Sequence, residues 1–365
     1  MTFHCKNSTV KLTERSIPKG IAYYISGEGE LFYSLNIPDT AEYLAIENHS
    51  PFWCRPFWGS SLSELPERVQ ALLLKNGETY TYYLPVCDSI FKTLIRGSED
   101  GFEFYTYSNC DTVTKCEHQL AFVCLAGKEP LALMKDAARA VCKLLDNGLQ
   151  LREKKTVPEV FNYLGWCSWD SMQIRVNHEG LLEKAREFKE KNVPVRFAII
   201  DDMWADVPAL NEIPKDSDFG SMVHAMHASK LRSFAGDPKR FPKGMAAAID
   251  DLKKEGIAEV GVWFPTTGYW AGLMPNESEA EKQKGNTVTL ANGQIIVAPN
   301  EEKAVRYFDD LCARVKEWGG DFVKIDNQGF HQRYKNVAPI GQSARAIQKS
   351  IDAAANKYFD GALIN

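Results

Sequence analysis

The sequence predicts an α/β protein in two parts: an N-terminal antiparallel β-sandwich, then strands and helices alternating around a parallel sheet. Three observations predict it. Short apolar or alternating runs, broken by Gly, Pro, Asn and Asp clusters, fill the chain to about Gly127. From Val157 onward, strand-like and helix-like segments alternate strictly, which implies parallel strands joined by helices. Between the two patterns lies one amphipathic stretch, Pro130 to Leu145. The expected division is 1–128 for the sandwich, 129–156 for a helical linker and 157–365 for the βα part. A length of 365 residues makes two domains a reasonable prior.

Expected strands in the first part are Ile21–Ile25, Glu42–Ile46, Val69–Leu74, Thr79–Val86 and Leu120–Leu125, with Tyr80–Tyr83 favouring a strand through its tyrosines. In the linker, Leu131, Leu133, Met134, Ala137, Ala138, Val141 and Leu144 recur at helical spacing, and Asn147–Gly148 supplies a stop. The second part reads as strand Val160–Trp166, helix Glu179–Lys191, strand Val195–Ile200, helix Met245–Glu255, strand Ala258–Phe264 and helix Glu302–Trp318. That last helix carries Val305, Phe308, Leu311, Cys312 and Val315. Strand Phe322–Ile325, helix Gln342–Tyr358 and strand Gly361–Ile364 complete it. About five strands are thus present, and pattern alone leaves a barrel and an open sheet equally possible. The long connections Met203–Lys243 and Pro265–Glu301 leave the C-terminal ends of strands, where either architecture builds its site.

A net charge of -5 gives no reason to expect nucleic acid or an anionic membrane as partner. The start, MTFHCKNSTVKLTERS, lacks the apolar stretch of a secretory signal, and no segment reaches the length of a membrane span. Nine cysteines without metal-type pairs read as free thiols in a reducing compartment, so a cytoplasmic location is expected. No cofactor is expected; a nucleotide site in particular would want a glycine-rich turn between a strand and a helix, and the sequence has none. An oligomer is possible.

Four clusters sit where strands end: GWCSWD (Gly165–Asp170), IIDDMWAD (Ile199–Asp206), GVWFPTTGYW (Gly261–Trp270) and FVKIDNQ (Phe322–Gln328). Charged groups delivered repeatedly at strand ends are not what packing asks for, since burial penalises them unless they are paired or wet. Trp166, Trp169, Trp204, Trp263 and Trp270 offer flat apolar faces suited to sugar rings, and carboxylates accept hydrogen bonds from hydroxyls. Each tryptophan alone could equally be core. Lys324 and Asp326, two apart on a strand, share a face, and a neighbouring lysine favours the ionised carboxylate that a nucleophile needs. The competing reading is a structural salt bridge. Asp201, Asp202 and Asp206 could instead hold a divalent cation, which ranks last, so no metal is expected. His224 and His227 fall in a long loop, where packing or surface roles are favoured.

These clusters, with KLRSFAGDPKRFPKGM (Lys230–Met245), resemble glycoside hydrolase family 36 in its raffinose-synthase and seed-imbibition-protein branch. The resemblance runs from about Val157 to the end. It implies a (β/α)8 barrel after the sandwich and a retaining double displacement on terminal α-galactosides, with an α-galactoside oligosaccharide as substrate. It implies that Asp326 is the nucleophile, that Lys324 contacts the sugar, and that Asp201 and Asp202 bind galactose hydroxyls. Trp169 and Trp263 would line the pocket, with Asp170 and Trp204 at its rim. The alternatives are a galactosyltransferase of the raffinose-synthase type and an inactive sugar-binding fragment. The family's acid/base follows the sixth strand, so the resemblance places it beyond Asn365 and implies a fragment of a longer protein, inactive alone.

Overall fold

The computed structural model describes residues 3–5, 10–35, 42–50, 53–99, 101–209, 213–214 and 216–365. Part of the Met203–Lys243 connection, residues 210–212 and 215, lies outside the described residues. Two compact units are present, one of Met1–Lys155 with His331–Ser343, the other of Thr156–Phe330 with Ala344–Asn365.

In the first unit, an 11-stranded antiparallel sheet contains every strand expected there and adds Lys11–Ile17, Leu31–Leu35, Cys54–Gly59, Lys92–Ser98 and Gly101–Tyr107 among others. Strand alternation sends neighbouring residues to different cores. Tyr23 pairs with Phe122 and Ala22 with Val123. The first pair joins a cluster with Tyr33, Tyr83, Phe102 and Phe104, while the second faces helix Pro130–Leu145. Phe104 and Phe122 stack at 4.0 Å and Tyr23 and Phe122 at 4.5 Å. Such contacts add about 0.5–1.5 kcal/mol each beyond area burial.

The helix has the expected bounds and buries Leu133, Ala137 and Val141, one per turn. Leu131, expected on that face, is 73% exposed. It lies in the first turn, off the stripe that meets the sheet. The helix ends before Asn147–Gly148, at Asp146, which takes the left-handed conformation itself with φ 44°.

The second unit is a five-stranded parallel sheet in the sequential order Gly165–Cys167, Phe197–Ile200, Glu259–Pro265, Phe322–Asp326, Leu363–Ile364. Helices His178–Glu190, Gly244–Lys254, Glu301–Glu317 and Ile340–Phe359 connect them. The sheet is curled. Rings of Phe197 and Phe322, two strands apart, meet edge to face at 5.6 Å. Across a flat sheet, two interstrand spacings alone would set their backbones about 9–10 Å apart, and Phe322 lies a further two residues along in register. Gly165 and Gly261 make the curl possible: a Cβ would come within 2.0 Å of the Phe197 ring at the first and 2.2 Å of Phe322 at the second.

Three expectations need correction. Strand Val160–Trp166 is only Gly165–Cys167, because Glu159–Asn162 turns as a 3-10 helix. That turn brings Phe161 edge-on to Phe197 and Phe322 (5.9 and 5.6 Å) at the strands' N-terminal ends. On helix Glu301–Glu317, Phe308, Leu311, Cys312 and Val315 are buried as expected, but Val305 is exposed, and Ala304 and Tyr307 complete the buried stripe. His224 and His227 lie on helix Phe219–Ala228, capped by the Asp218 side chain, rather than in a loop.

The eight cysteines from Cys54 to Cys312 are free thiols, and among the described residues no helix is long and apolar enough to cross a membrane.

Candidate active site

The carboxylates converge because strand parity and curl act together. On Phe322–Asp326, Phe322, Lys324 and Asp326 share one face by alternation. Lys324 Nζ reaches Asp201 Oδ2 at 2.6 Å, and Cys167 Sγ donates to the same oxygen at 3.0 Å. One carboxylate oxygen thus ties together the ends of the first, second and fourth strands. The backbone N–H of Asp201 donates to Ser168 Oγ at 2.9 Å. Burial pulls the Lys324 ammonium down, but Asp201, with Cys167 and Asp326, more than offsets it and holds it above its ordinary value. Burial, reinforced by Asp201, pushes the Cys167 thiol up to about 12.

The lysine's bonded partner is therefore Asp201, not Asp326, which corrects the pairing expected from the KxD spacing. Lys324 pairs in register with Trp263 and Asp326 with Pro265. Asp326, one pleat further along, takes Trp263 Nε1 on Oδ2 at 3.2 Å and the Asn327 N–H on Oδ1 at 2.7 Å.

Asp202 has a different environment. Tyr269 donates its hydroxyl to Oδ1 at 2.8 Å, Trp270 Nε1 donates to Oδ2 at 2.5 Å, and the Met203 N–H donates to Oδ1 at 2.7 Å. Only 3% of the residue is exposed. Burial pushes its carboxyl up to about 7; the Trp270 and Tyr269 donors pull it back, and the neighbouring Asp201 charge adds to the rise. Burial, reinforced by Asp202, likewise raises Tyr269.

Asp202 and Asp326 share a local device. Each is followed by a non-glycine residue in the left-handed region, Met203 at φ 73° and Asn327 at φ 68°, whose N–H turns back onto the carboxylate. Such backbone costs about 1–3 kcal/mol and persists where surroundings enforce it. For Met203, Arg240 does so through Met203 O and Ala205 O. Lys239 and Arg240 donate their backbone N–H groups to Asp237 Oδ1 at 3.0 and 3.1 Å. The run Lys230–Met245 thereby buttresses the Asp201–Trp204 turn.

Other expected residues fall outside this cluster. Asp206 is held bidentately by Arg232 at 2.9 and 2.8 Å, which removes it from any cation site with Asp201 and Asp202. No metal-holding group of three or more His, Cys, Asp or Glu side chains occurs among the described residues. Trp204 is 1% exposed, donates to Trp263 O at 2.6 Å, and packs on Phe234 and Trp318; it sits inside the fold, not at a rim. Trp166 packs edge-on against Phe188, on the helix side of its strand. Trp169 lines a small apolar cleft with Ile174, Phe219, Met222 and Met226, and Asp170 is exposed beside it.

Three site residues were not singled out from the sequence, Cys167, Tyr269 and Asn327, and Trp270 was singled out only for its ring, not for its bond to Asp202. Parity could have found Cys167, which alternates with Trp166. Tyr269 and Trp270 follow the third strand in a loop without periodicity, and only the fold turns them onto Asp202. Asn327 is buried, with both side-chain amide atoms lacking a partner among the described residues.

The raised Asp202 carboxyl has a thermodynamic consequence. While pH rises from about 4 towards 7, the unfolded chain is ionised here and the folded chain still holds its proton, so stability falls with pH. Asp202→Asn should remove that slope. Its melting temperature relative to the native chain is expected to rise between about pH 5 and about pH 8, by the equivalent of a few kcal/mol at most. A pH-independent difference would show that Asp202 does not titrate there.

A curled parallel sheet with paired carboxylates, a lysine and tryptophans at its strand ends has the fold of family 36 α-galactosidases. The α-galactosidase TtGalA of Thermus thermophilus, solved with stachyose, superposes with a TM-score of 0.59 at 16% identity, over 96% of this chain and 70% of that one. The α-galactosidase AgaA of Geobacillus stearothermophilus gives 0.55 at 10% identity, over 92% and 50%. Residues 28–363 match the family "raffinose synthase or seed imbibition protein Sip1", and the chain belongs to that family. The galactinol–sucrose galactosyltransferase of Pisum sativum is 24% identical over 88% of this chain and 44% of its own length. The stachyose synthase of Pisum sativum is 28% identical over 56% and 25%. The chain spans less than half the length of these curated relatives.

Proposed function

We propose that the chain carries the nucleophile and sugar-binding groups of a retaining enzyme for terminal α-galactosides, on a (β/α)8 barrel preceded by a β-sandwich. The observation that carries this reading is the convergence of Asp201, Lys324 and the Trp263–Asp326 pair on one end of the parallel sheet. Family membership supports galactosyl transfer. In the proposed first step an Asp326 oxygen attacks the anomeric carbon, and the bond to the leaving oxygen breaks with its electron pair. Asp201 and Asp202 accept hydrogen bonds from galactose hydroxyls, Lys324 donates one, and Trp263, itself buried, holds Asp326 in place through its Nε1–H. In the second step water, or a sugar hydroxyl, attacks the galactosyl ester, loses its proton to a general base and frees Asp326.

Retention needs a second carboxyl about 5–5.5 Å from the nucleophile to protonate the leaving group. The test therefore uses a substrate that needs no such help. With α-galactosyl fluoride, fluoride leaves unprotonated, and mass spectrometry of peptides should find one hexosyl unit esterified to Asp326. Labelling elsewhere, or an equal amount in Asp326→Asn, would overturn the assignment.

The transferase reading is equally supported, since the pea relatives are a galactinol–sucrose galactosyltransferase and a stachyose synthase. Incubating the full-length protein with raffinose, then with galactinol plus sucrose, separates the two. Galactose release marks the hydrolase; a trisaccharide marks the transferase.

A further inference from the structure

Cys167 ends the first strand of the parallel sheet, and parity decides which way it faces. In the register of the sheet, Cys167 lies beside Ile199, Ile199 beside Gly261, and Trp263 beside Lys324. Neighbours in register share a face, as do residues two apart along a strand. Cys167, Asp201, Trp263 and Lys324 therefore face the side on which Phe197 and Phe322 meet, while Trp166, one residue earlier, turns to Phe188 on the helix side.

The thiol touches both members of the site's ion pair. Cys167 Sγ donates to Asp201 Oδ2 at 3.0 Å and lies 3.9 Å from Lys324 Nζ, which reaches the same oxygen at 2.6 Å. Oδ2 thus takes two donors. Oδ1 takes none among the described residues, although only 3% of Asp201 is exposed. Buried carboxylate oxygens seldom go without a donor, and a sugar hydroxyl is a donor of the right kind. The ammonium is arranged likewise. Of its three hydrogens, one serves Asp201 and one the Cys167 sulfur, which leaves the third for a ligand.

An ion pair alone could pivot about its single contact and exchange Oδ1 for Oδ2. A second donor, arriving from a different strand, fixes the plane of the carboxylate. Burial, reinforced by Asp201, keeps the thiol protonated at neutral pH, so it remains a donor there.

We propose that Cys167 is a positioning residue for the sugar, holding Asp201 and Lys324 so that Oδ1 and the third ammonium hydrogen face the hydroxyls of one sugar ring. This inference rests on the galactoside-binding reading above and names the residue that gives that site its geometry.

Cys167→Val and Cys167→Ser in the full-length protein test it. Valine has about the volume of cysteine and suits a strand, but donates nothing; serine keeps a donor. With α-galactosyl fluoride, Cys167→Val should raise KM about three- to tenfold, the scale of one net hydrogen bond, and leave kcat nearly unchanged. Cys167→Ser should recover most of the loss. A cysteine that only fills space would behave in reverse, tolerating valine and suffering from a hydroxyl. A second readout needs no sugar. Cys167→Val and Asp201→Asn, singly and together, form a double-mutant cycle in thermal stability, and their losses should be less than additive. An unchanged KM in Cys167→Val, a serine variant worse than the valine one, or strictly additive losses would each overturn the role of the thiol. Failure of the underlying reading looks different: the native protein neither binds nor turns over the galactoside while the cycle still shows coupling, and the assignment to sugar binding falls with it.

Discussion

Replacing Asp326 with asparagine is expected to lower turnover of an activated α-galactoside by on the order of 10⁴-fold or more, the scale seen when a covalent nucleophile is removed. Sugar binding should survive. Asp326 accepts from Trp263 Nε1 and the Asn327 N–H, and an asparagine oxygen can keep one of those bonds. The kcat of the variant should therefore collapse while its Kd for galactose changes little, read by fluorescence of the site tryptophans. Retention of native turnover would exclude Asp326 as nucleophile, and equal loss of binding and turnover would recast it as a binding group.

The second large effect belongs to Lys324 and Asp201. Removing one member of a buried ion pair strands the other charge, at a cost of about 3–5 kcal/mol. Lys324→Met strands Asp201, which is almost fully buried, so it should sit near the upper end of that range, whereas Asp201→Asn strands a Lys324 side chain that keeps 25% of its exposure and should cost less. The double variant Lys324→Met with Asp201→Asn leaves no unpaired charge and should recover most of the stability but none of the activity. Chemical denaturation measures the first and turnover the second. If the double variant is as unstable as Lys324→Met, the pair's role is packing, not charge compensation.

Much of this molecule could be read locally. Helix Pro130–Leu145 was legible to the residue because its apolar spacing and N-terminal proline are local signals. The strands Glu259–Pro265 and Phe322–Asp326 were legible as apolar runs ending in chemistry. Illegible was anything set by a partner distant in sequence. Val160–Tyr163 looks like a strand until Phe161 is seen packing on Phe197 and Phe322. Trp204 looks like a site residue until its indole is seen bonded to a backbone carbonyl of the neighbouring strand.

By itself, the sequence determined which side chains stand at the ends of the parallel strands, and that Lys324 and Asp326 share a face. Alternation along a strand is a property of the backbone and needs no tertiary contact. Only the tertiary structure decided their partners. The curl, permitted by Gly165 and Gly261, carries Lys324 across to Asp201 and Cys167 and leaves Asp326 to Trp263. Partner choice depends on distances between strands, and those are set by how the sheet closes on its own side chains.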